Sequence, residues 1–525
     1  MADKSEPCAI GPTLLTGASP RSRKKDIMHY LHVVFFWLIL VSAIPVNAHS
    51  ENSPNPKTPR QANDYHWVPG VIDIRSAISD GSHTPDALAD LGHQRGLGIL
   101  LLSDHERVAV EYGIFPLRKF FKYTKQLPSV ETFGWDQYLD IIDTANHRHD
   151  DVLLIPGVES SPFYYWSGLP FSKTGLTLNN WERHLLVFGL QSVQDFADLP
   201  TIGKTPGLTW RNQPPALILF AGAILIGLIL LRLKGLRSKT GIMITTLGLI
   251  GCIDAIHLGK SQYDQYHGDQ KIAPYQEFID HVTSRGGLTF WNHPGTNSGK
   301  RLLPPIQLNT PPYSEVVTES DNYTGIAVLS GEAFIDAEPG GRWDQTLEEY
   351  CVGRRQRPVW GIATADFHQD GRHGEHLGDY TTVFAIRSLN QQEVLEALER
   401  GRMYAVKGSQ PNQDRLLKFA LTDTSKVIRA ISGEEIELSG ERALIEISIN
   451  ASSGSAHPLT LKLIENGQII VTITEETPVL RHLEIQPPSG RKNYYRLDIS
   501  SDNCRILSNP IFTRPASTNP TAHNR

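Results

Sequence analysis

Gly98-Ile99-Leu100-Leu101-Leu102-Ser103-Asp104-His105 is the stretch on which the reading of this chain turns. A short, unbroken apolar run reads as a buried strand, and this one ends on an acid and a histidine. The arrangement recurs along the chain. Ile155-Pro156-Gly157 leads to Glu159, Phe290-Trp291-Asn292 to His293, and Ala363-Thr364-Ala365 to Asp366 and His368. An earlier strand, from Val71, is followed by Asp73, Arg75 and Asp80. In parallel α/β folds the functional side chains gather at the carboxyl ends of strands. A lone histidine at such a position is bland; acids and histidines after five strands are not. His184 departs from the pattern, because it opens its apolar run instead of following it.

Working outward, short apolar runs alternate with amphipathic segments from Val71 to about Lys407. Strands are expected at Gly98–Leu102, Val152–Ile155, His184–Leu190, Leu288–Trp291, Gly325–Leu329, Val359–Ala363 and Thr381–Ile386. Helices are expected at Pro85–Arg95, Trp135–Ala145, Tyr275–Ser284 and Gln392–Arg400. Strand and helix alternating this often predict a parallel α/β sheet, open or closed. Past about Leu416 the pattern changes to short alternating strands split by Gly, Pro, Ser and Asn, which predicts a small β-sandwich. The division expected is a leader over 1–48, a linker over 49–64, an α/β unit over 65–410, a sandwich over 411–514 and a disordered tail over 515–525.

Composition narrows the function classes. The chain of 525 residues carries 50 Lys and Arg against 56 Asp and Glu, a net charge of −6, which gives no support to bulk nucleic-acid binding. At 40% hydrophobic and 20% charged it is far from the disordered class. Four cysteines exclude a disulfide-built scaffold. Cys351 and Cys504 are the pair left to bond outside the leader and the apolar segments, although they fall in different expected domains.

The apolar residues are unevenly spread. Arg21, Arg23, Lys24 and Lys25 precede an apolar block, Tyr30 to Val46, that closes on Val46-Asn47-Ala48, so the leader reads as a secretory signal peptide or an uncleaved anchor. Two further blocks lie at Pro214–Leu233 and Thr240–Leu258, joined by the cationic turn Arg232, Lys234, Arg237 and Lys239. A hairpin of this kind, over 214–258, is expected to span a bilayer with its turn on the cytoplasmic side. That places the chain in the inner (plasma) membrane, with its catalytic domain on the extracytoplasmic, periplasmic face.

The runs Arg75-Ser76-Ala77-Ile78-Ser79-Asp80-Gly81 and Leu102-Ser103-Asp104-His105 resemble the opening of the PHP (polymerase and histidinol phosphatase) family. Ile155-Pro156-Gly157-Val158-Glu159, His184-Leu185-Leu186, Asn292-His293-Pro294 and Ala365-Asp366-Phe367-His368 resemble its later motifs, in the family's order. The resemblance implies a distorted seven-stranded β/α barrel interrupted by the hairpin, and metal-dependent phosphoesterase activity with two or three divalent ions (Mn, Fe, Zn or Mg). Carried over residue by residue, Glu159, His184 and His293 match one metal site, and Asp80, His105 and His368 a second. The third site normally uses a His-x-His pair with the bridging Glu and a late Asp. Here the pair reads Asp73-Ile74-Arg75, while Glu159 and Asp366 persist.

Three readings of that departure stay open. Asp73 binds a metal in an oxygen-rich site and Arg75 points at the substrate phosphate; or Arg75 replaces the missing ion's charge, leaving two metals; or catalysis is lost and the barrel is a metal- or ligand-binding envelope protein. In the enzyme reading, metal-activated water attacks phosphorus in line, and Arg75, Asp104, His105, Glu159 and His368 are the catalytic candidates. Asp104 is expected to orient its neighbours, and the substrate to be a phosphate ester, of an envelope or lipid-linked compound if the membrane placement holds. His147, His149, His373 and His376, the aromatic run Phe163-Tyr164-Tyr165-Trp166, and Arg118, Lys119 and Lys122 have readings as solvated loop, packing or basic face as well as functional ones.

Overall fold

Each short apolar run becomes a strand whose ends fall within a few residues of the expected limits. The computed structural model describes residues 65–515 apart from 116, 171–174, 205–213, 234, 256–258, 332–334, 373–374, 410–412, 425–427, 452–453 and 503. The leader, the linker and the chain from 516 onward lie outside the described residues, as does His373. Pro515, the first residue of the expected tail, ends the last strand.

The strands before the helical hairpin are β1 (His66–Ile74), β2 (Ile99–Leu102), β3 (Asp104–His105), β4 (Val108–Gly113), β5 (Lys122–Leu127), β6 (Leu153–Ile155), β7 (Gly157–Ser160), β8 (Tyr165–Gly168), β9 (Leu176–Asn179) and β10 (Leu185–Phe188). After it come β11 (Leu288–Trp291), β12 (Gly299–Leu303), β13 (Ile306–Thr310), β14 (Gly325–Leu329), β15 (Trp360–Ala363), β16 (Tyr380–Ile386) and β17 (Met403–Gly408). β2, β11, β14 and β15 are buried throughout, as near-continuous apolar runs covered on both faces should be. The first covering helix obeys its start signal. Thr84 Oγ1 accepts from Ala87 N at the head of Pro85–Gln94, and Leu88 and Ala89 face the core.

The fold is mixed α/β, in several sheets. β1, β2 and β6 belong to an eleven-stranded sheet, and β3, β7, β10, β11, β14 and β15 form a six-stranded one. The two are continuous along the chain, since only Ser103 separates β2 from β3 and only Pro156 separates β6 from β7. At the other edge Ala365 N donates to Ile72 O (2.9 Å), Phe367 N to Asp73 O (3.0 Å) and Arg75 N to Phe367 O (2.8 Å). The expectation of parallel pairing needs correcting at β16, which runs antiparallel to β1 and β17, and at β10, which runs antiparallel to both β7 and β11. This reversal explains His184: the start of a reversed strand lies at the same end as the finish of its neighbours.

The later strands are β18 (Asp414–Asp423), β19 (Arg429–Ile431), β20 (Glu435–Leu438), β21 (Ala443–Ala451), β22 (Pro458–Glu465), β23 (Gln468–Glu476), β24 (Val479–Ile485), β25 (Asn493–Ser501), β26 (Cys504–Ser508) and β27 (Ile511–Pro515). β19-β18-β21-β24 make a separate four-stranded sheet, whose Leu416, Leu421, Ile445 and Ile447 share one apolar cluster with Leu461, Leu497 and Ile506 of β22, β25 and β26. Those last strands continue the first half's sheet, because β17 pairs with β26 from Tyr404↔Ser508 to Gly408↔Cys504. A buried ion pair also crosses between the halves: Arg496 Nε and Nη2 each lie 2.7 Å from an oxygen of Asp344. Cys351 and Cys504 are free thiols.

The inner-membrane, periplasm-facing placement is corrected. Among the described residues no helix is long and apolar enough to cross a membrane. The first helix of the hairpin, Pro214–Leu231, has 18 residues, about 27 Å at the helical rise against a hydrocarbon core of about 30 Å. The second, Leu236–Ala255, takes in Arg237, Lys239 and Asp254. Asp254 is engaged by protein: its carboxylate accepts from Arg118 N (3.0 Å) and Lys119 N (2.6 Å) in the turn between β4 and β5. The helices pack closely at Gly227 and Gly241, and Ile218, Leu219 and Leu225 are exposed.

Candidate metal centre

The strand ends bring together Asp73, Arg75, Asp80, His105, Glu159, His184, His293, Asp366 and His368. Glu159 is the hub. Oε1 lies 3.0 Å from His184 Nδ1 and 3.6 Å from His293 Nε2, and the two imidazole nitrogens are 3.4 Å apart. Oε2 faces Arg75 Nη2 at 2.6 Å and His105 Nδ1 at 3.2 Å. A second convergence lies beside it, where Asp80 Oδ2 is 3.4 Å from His105 Nε2 and 3.3 Å from His368 Nε2. Glu159 forms the buried floor, and Asp80 and Asp366 are half-exposed at the mouth.

Backbone conformation aims several of these groups. Asp73 (φ 74°), His293 (φ 33°) and Asp366 (φ 45°) have left-handed backbone, unusual for residues other than glycine and common where a site holds a side chain against its local preference. The ladder between β1 and β2 shifts register at Asp73, as a bulge that re-aims a side chain would.

The donor set fits a divalent cation. A tetrahedral ion with bonds of about 2.1 Å separates its ligand atoms by about 3.4 Å, which the spacings among Glu159, His184 and His293 bracket. These three residues form a candidate metal-holding cluster. Charge points the same way: Asp73, Glu159 and Asp366 surround a single guanidinium, and Asp80 faces His105 and His368 beside it. Burial would raise Glu159, but Arg75, His184 and His105 hold it well below the usual carboxylate range. Burial pushes His184 down, towards the neutral imidazole that ligates. His105 is instead pushed up to about 9, because hydrogen bonds to Asp80 and Glu159 outweigh its burial.

Arg75 is 1% exposed and turns inward. Nη1 lies 2.5 Å from Asp73 Oδ1 and donates to Ser103 O (2.6 Å), while Nη2 adds Asp366 Oδ1 at 3.4 Å to its contact with Glu159. Asp104 also faces away from the cluster of donors. Its carboxylate accepts from Ser76 N (2.8 Å), Ser76 Oγ (2.8 Å) and Ser79 Oγ (2.6 Å), tying down the loop that presents Asp80.

Two further residues belong to the site. Asn292 Nδ2 donates to Asp73 Oδ2 and Glu159 Oε1, both at 2.7 Å. Tyr313 Oη donates to Asn292 O (2.6 Å) and lies 3.3 Å from His293 Nδ1, the partner that leaves His293 Nε2 facing Glu159. Asn292 stood beside His293 in its motif, whereas Tyr313 has no local signal, being brought in from beyond the β12–β13 hairpin. The remaining candidates lie elsewhere: His149 contacts Asp86 and His376 contacts Asp370, Phe163 and Tyr164 are core, and Arg118 stacks on Tyr266 at 3.9 Å.

No protein-family model and no curated protein matches the chain. Among solved structures, the neighbours include PHP-like metal-dependent phosphoesterases. One is a two-domain protein from Bacteroides vulgatus containing a predicted PHP-like metal-dependent phosphoesterase, 14% identical, covering 83% of this chain and 91% of that one at a TM-score of 0.33. A candidate metal-dependent phosphoesterase from Bifidobacterium adolescentis is 16% identical over 57% of this chain and 87% of its own, with a TM-score of 0.25. An amidohydrolase from Chromobacterium violaceum with bound sulfate and no metal is 15% identical over 58% and 90%, with a TM-score of 0.26. Likeness of this degree carries no argument about activity, which rests on the site's own geometry.

Proposed function

We propose that the chain is a metal-dependent hydrolase of phosphate esters. The observation that carries this reading is the convergence of Glu159 Oε1, His184 Nδ1 and His293 Nε2 at spacings of 3.0 to 3.6 Å. In this reading those residues hold one divalent ion, and Asp80, His105 and His368 hold a second; imidazole with carboxylate suits Zn, Mn or Fe. Ions so held would lower the pKa of water and neutralise phosphate oxygens. The chain's own groups do the placing. Asn292 fixes the floor carboxylate. Tyr313 fixes the face of His293, and the Asp366 carbonyl, 2.7 Å from His368 Nδ1, turns His368 Nε2 towards Asp80. Substrate would enter between Asp80 and Asp366, where the site opens. The strand ring β1, β2–β3, β6–β7, β10, β11, β14 and β15 supports reading the 65–410 unit as a distorted seven-stranded barrel, and the shared cluster of the later sheets supports a β-sandwich over 411–514.

The test uses the full chain, loaded with manganese or stripped by chelator, against p-nitrophenyl phosphate and its bis-ester. Hydrolysis that falls by at least about 100-fold in His184→Ala and His293→Ala, with circular dichroism unchanged, is the expected result. Metal retention without hydrolysis of either ester would favour a ligand-binding protein instead.

A further inference from the structure

We infer that the Arg75 guanidinium is a built-in cation occupying a third metal position, so that this chain's centre works with one ion fewer than its carboxylates could surround. The inference rests on the metal-centre reading above and concerns what fills the space between Asp73, Glu159 and Asp366. Those carboxylates come from three strand ends and converge on one point. A guanidinium stands there, with Nη1 2.5 Å from Asp73 and Nη2 2.6 Å from Glu159 and 3.4 Å from Asp366. Ser103 O takes a further N–H at 2.6 Å. Asn292 Nδ2, donating to both Asp73 and Glu159, braces two of the acids from another side.

The chemistry favours substitution over a phosphate clamp. Arginine stays protonated and its planar fork engages several oxygens at once, whereas it cannot ligate a metal. At 1% exposure, with both terminal nitrogens on carboxylates and Nε buried as well, it presents no exposed donor to a substrate. A permanent +1 at this point also engages Glu159 Oε2, while Oε1 faces His184 and His293. Asp73 follows from the same logic: a carboxylate balances the charge of a guanidinium, which a neutral imidazole could not do.

The test is metal content per chain, by inductively coupled plasma mass spectrometry of the full chain after manganese loading and gel filtration. The double variant Asp73→His with Arg75→His should hold about one more ion than wild type, and Arg75→Lys should hold the same number as wild type. A folded double variant with wild-type content, or a gain in Arg75→Lys, would overturn the inference. Arg75→Ala supplies a second readout, since it leaves the acids facing an opened space. Manganese should raise its melting temperature by more than it raises that of wild type, and an equal rise would contradict the proposal. Wild type binding no ion at all would instead defeat the reading on which this inference rests.

Discussion

Arg75 Nη2 lies 2.6 Å from Glu159 Oε2, while the other oxygen of that carboxylate faces His184 and His293. One buried acid therefore serves a permanent cation with one oxygen and a set of candidate metal donors with the other. Replacing it disturbs both. Glu159→Gln should weaken manganese binding by about 100-fold or more, given that residues merely supporting a ligand cost 10–100-fold. It should also destabilise the fold by about 3–5 kcal/mol, because a buried guanidinium loses a partner. Isothermal titration and urea unfolding measure the two effects separately.

Tyr313→Phe tests the support of His293 alone. The ring keeps its packing and loses only the hydroxyl that meets Asn292 O and His293 Nδ1. Metal affinity should fall by about 10-fold and stability by about 1 kcal/mol. An unchanged affinity would show that the hydroxyl does not set the orientation of His293.

The Asp344–Arg496 pair tests how the halves are joined. Both side chains are buried, with two contacts of 2.7 Å, and Arg496 lies 4.7 Å from the Trp343 ring. Asp344→Ala should cost about 3–5 kcal/mol by leaving a buried charge unpaired. Replacing both residues by apolar ones of similar size should recover much of it. Urea midpoints of the single and double variants decide the matter.

Cys351 and Cys504 should resist alkylation in the folded chain. Burial pushes both thiols up to about 12, and the Asp414 carboxylate beside Cys504 adds to the effect there. Since the thiolate is the nucleophile, only about one part in 10,000 would be reactive at pH 8. Iodoacetamide labelling followed by mass spectrometry should find both sites unmodified until denaturant is added, and rapid labelling of the folded protein would contradict this.

Strand positions were legible because each apolar run is short and sharply bounded. Leu288–Trp291 and Gly325–Leu329 fall where expected, and Pro85–Gln94 begins at its capping threonine. The grouping of site residues was legible for the same reason, since strand ends carry them. Pairing direction was not: nothing in Leu185–Phe188 distinguishes a reversed strand from a parallel one. Nor could the pattern show that the sheet runs unbroken from β17 into β26, because that pairing joins residues about a hundred positions apart. The apolar hairpin misled for a different reason. Hydropathy registers the run of side chains, whereas helix ends and the partner of Asp254 emerge only from the folded chain.

The most direct measurement is anomalous X-ray diffraction at the manganese edge on crystals of the metal-loaded full chain. A peak within about 2.0–2.3 Å of Glu159 Oε1, His184 Nδ1 and His293 Nε2 is the result predicted. Well-ordered crystals with no peak there, or manganese bound only at sites remote from these three atoms, would contradict the account.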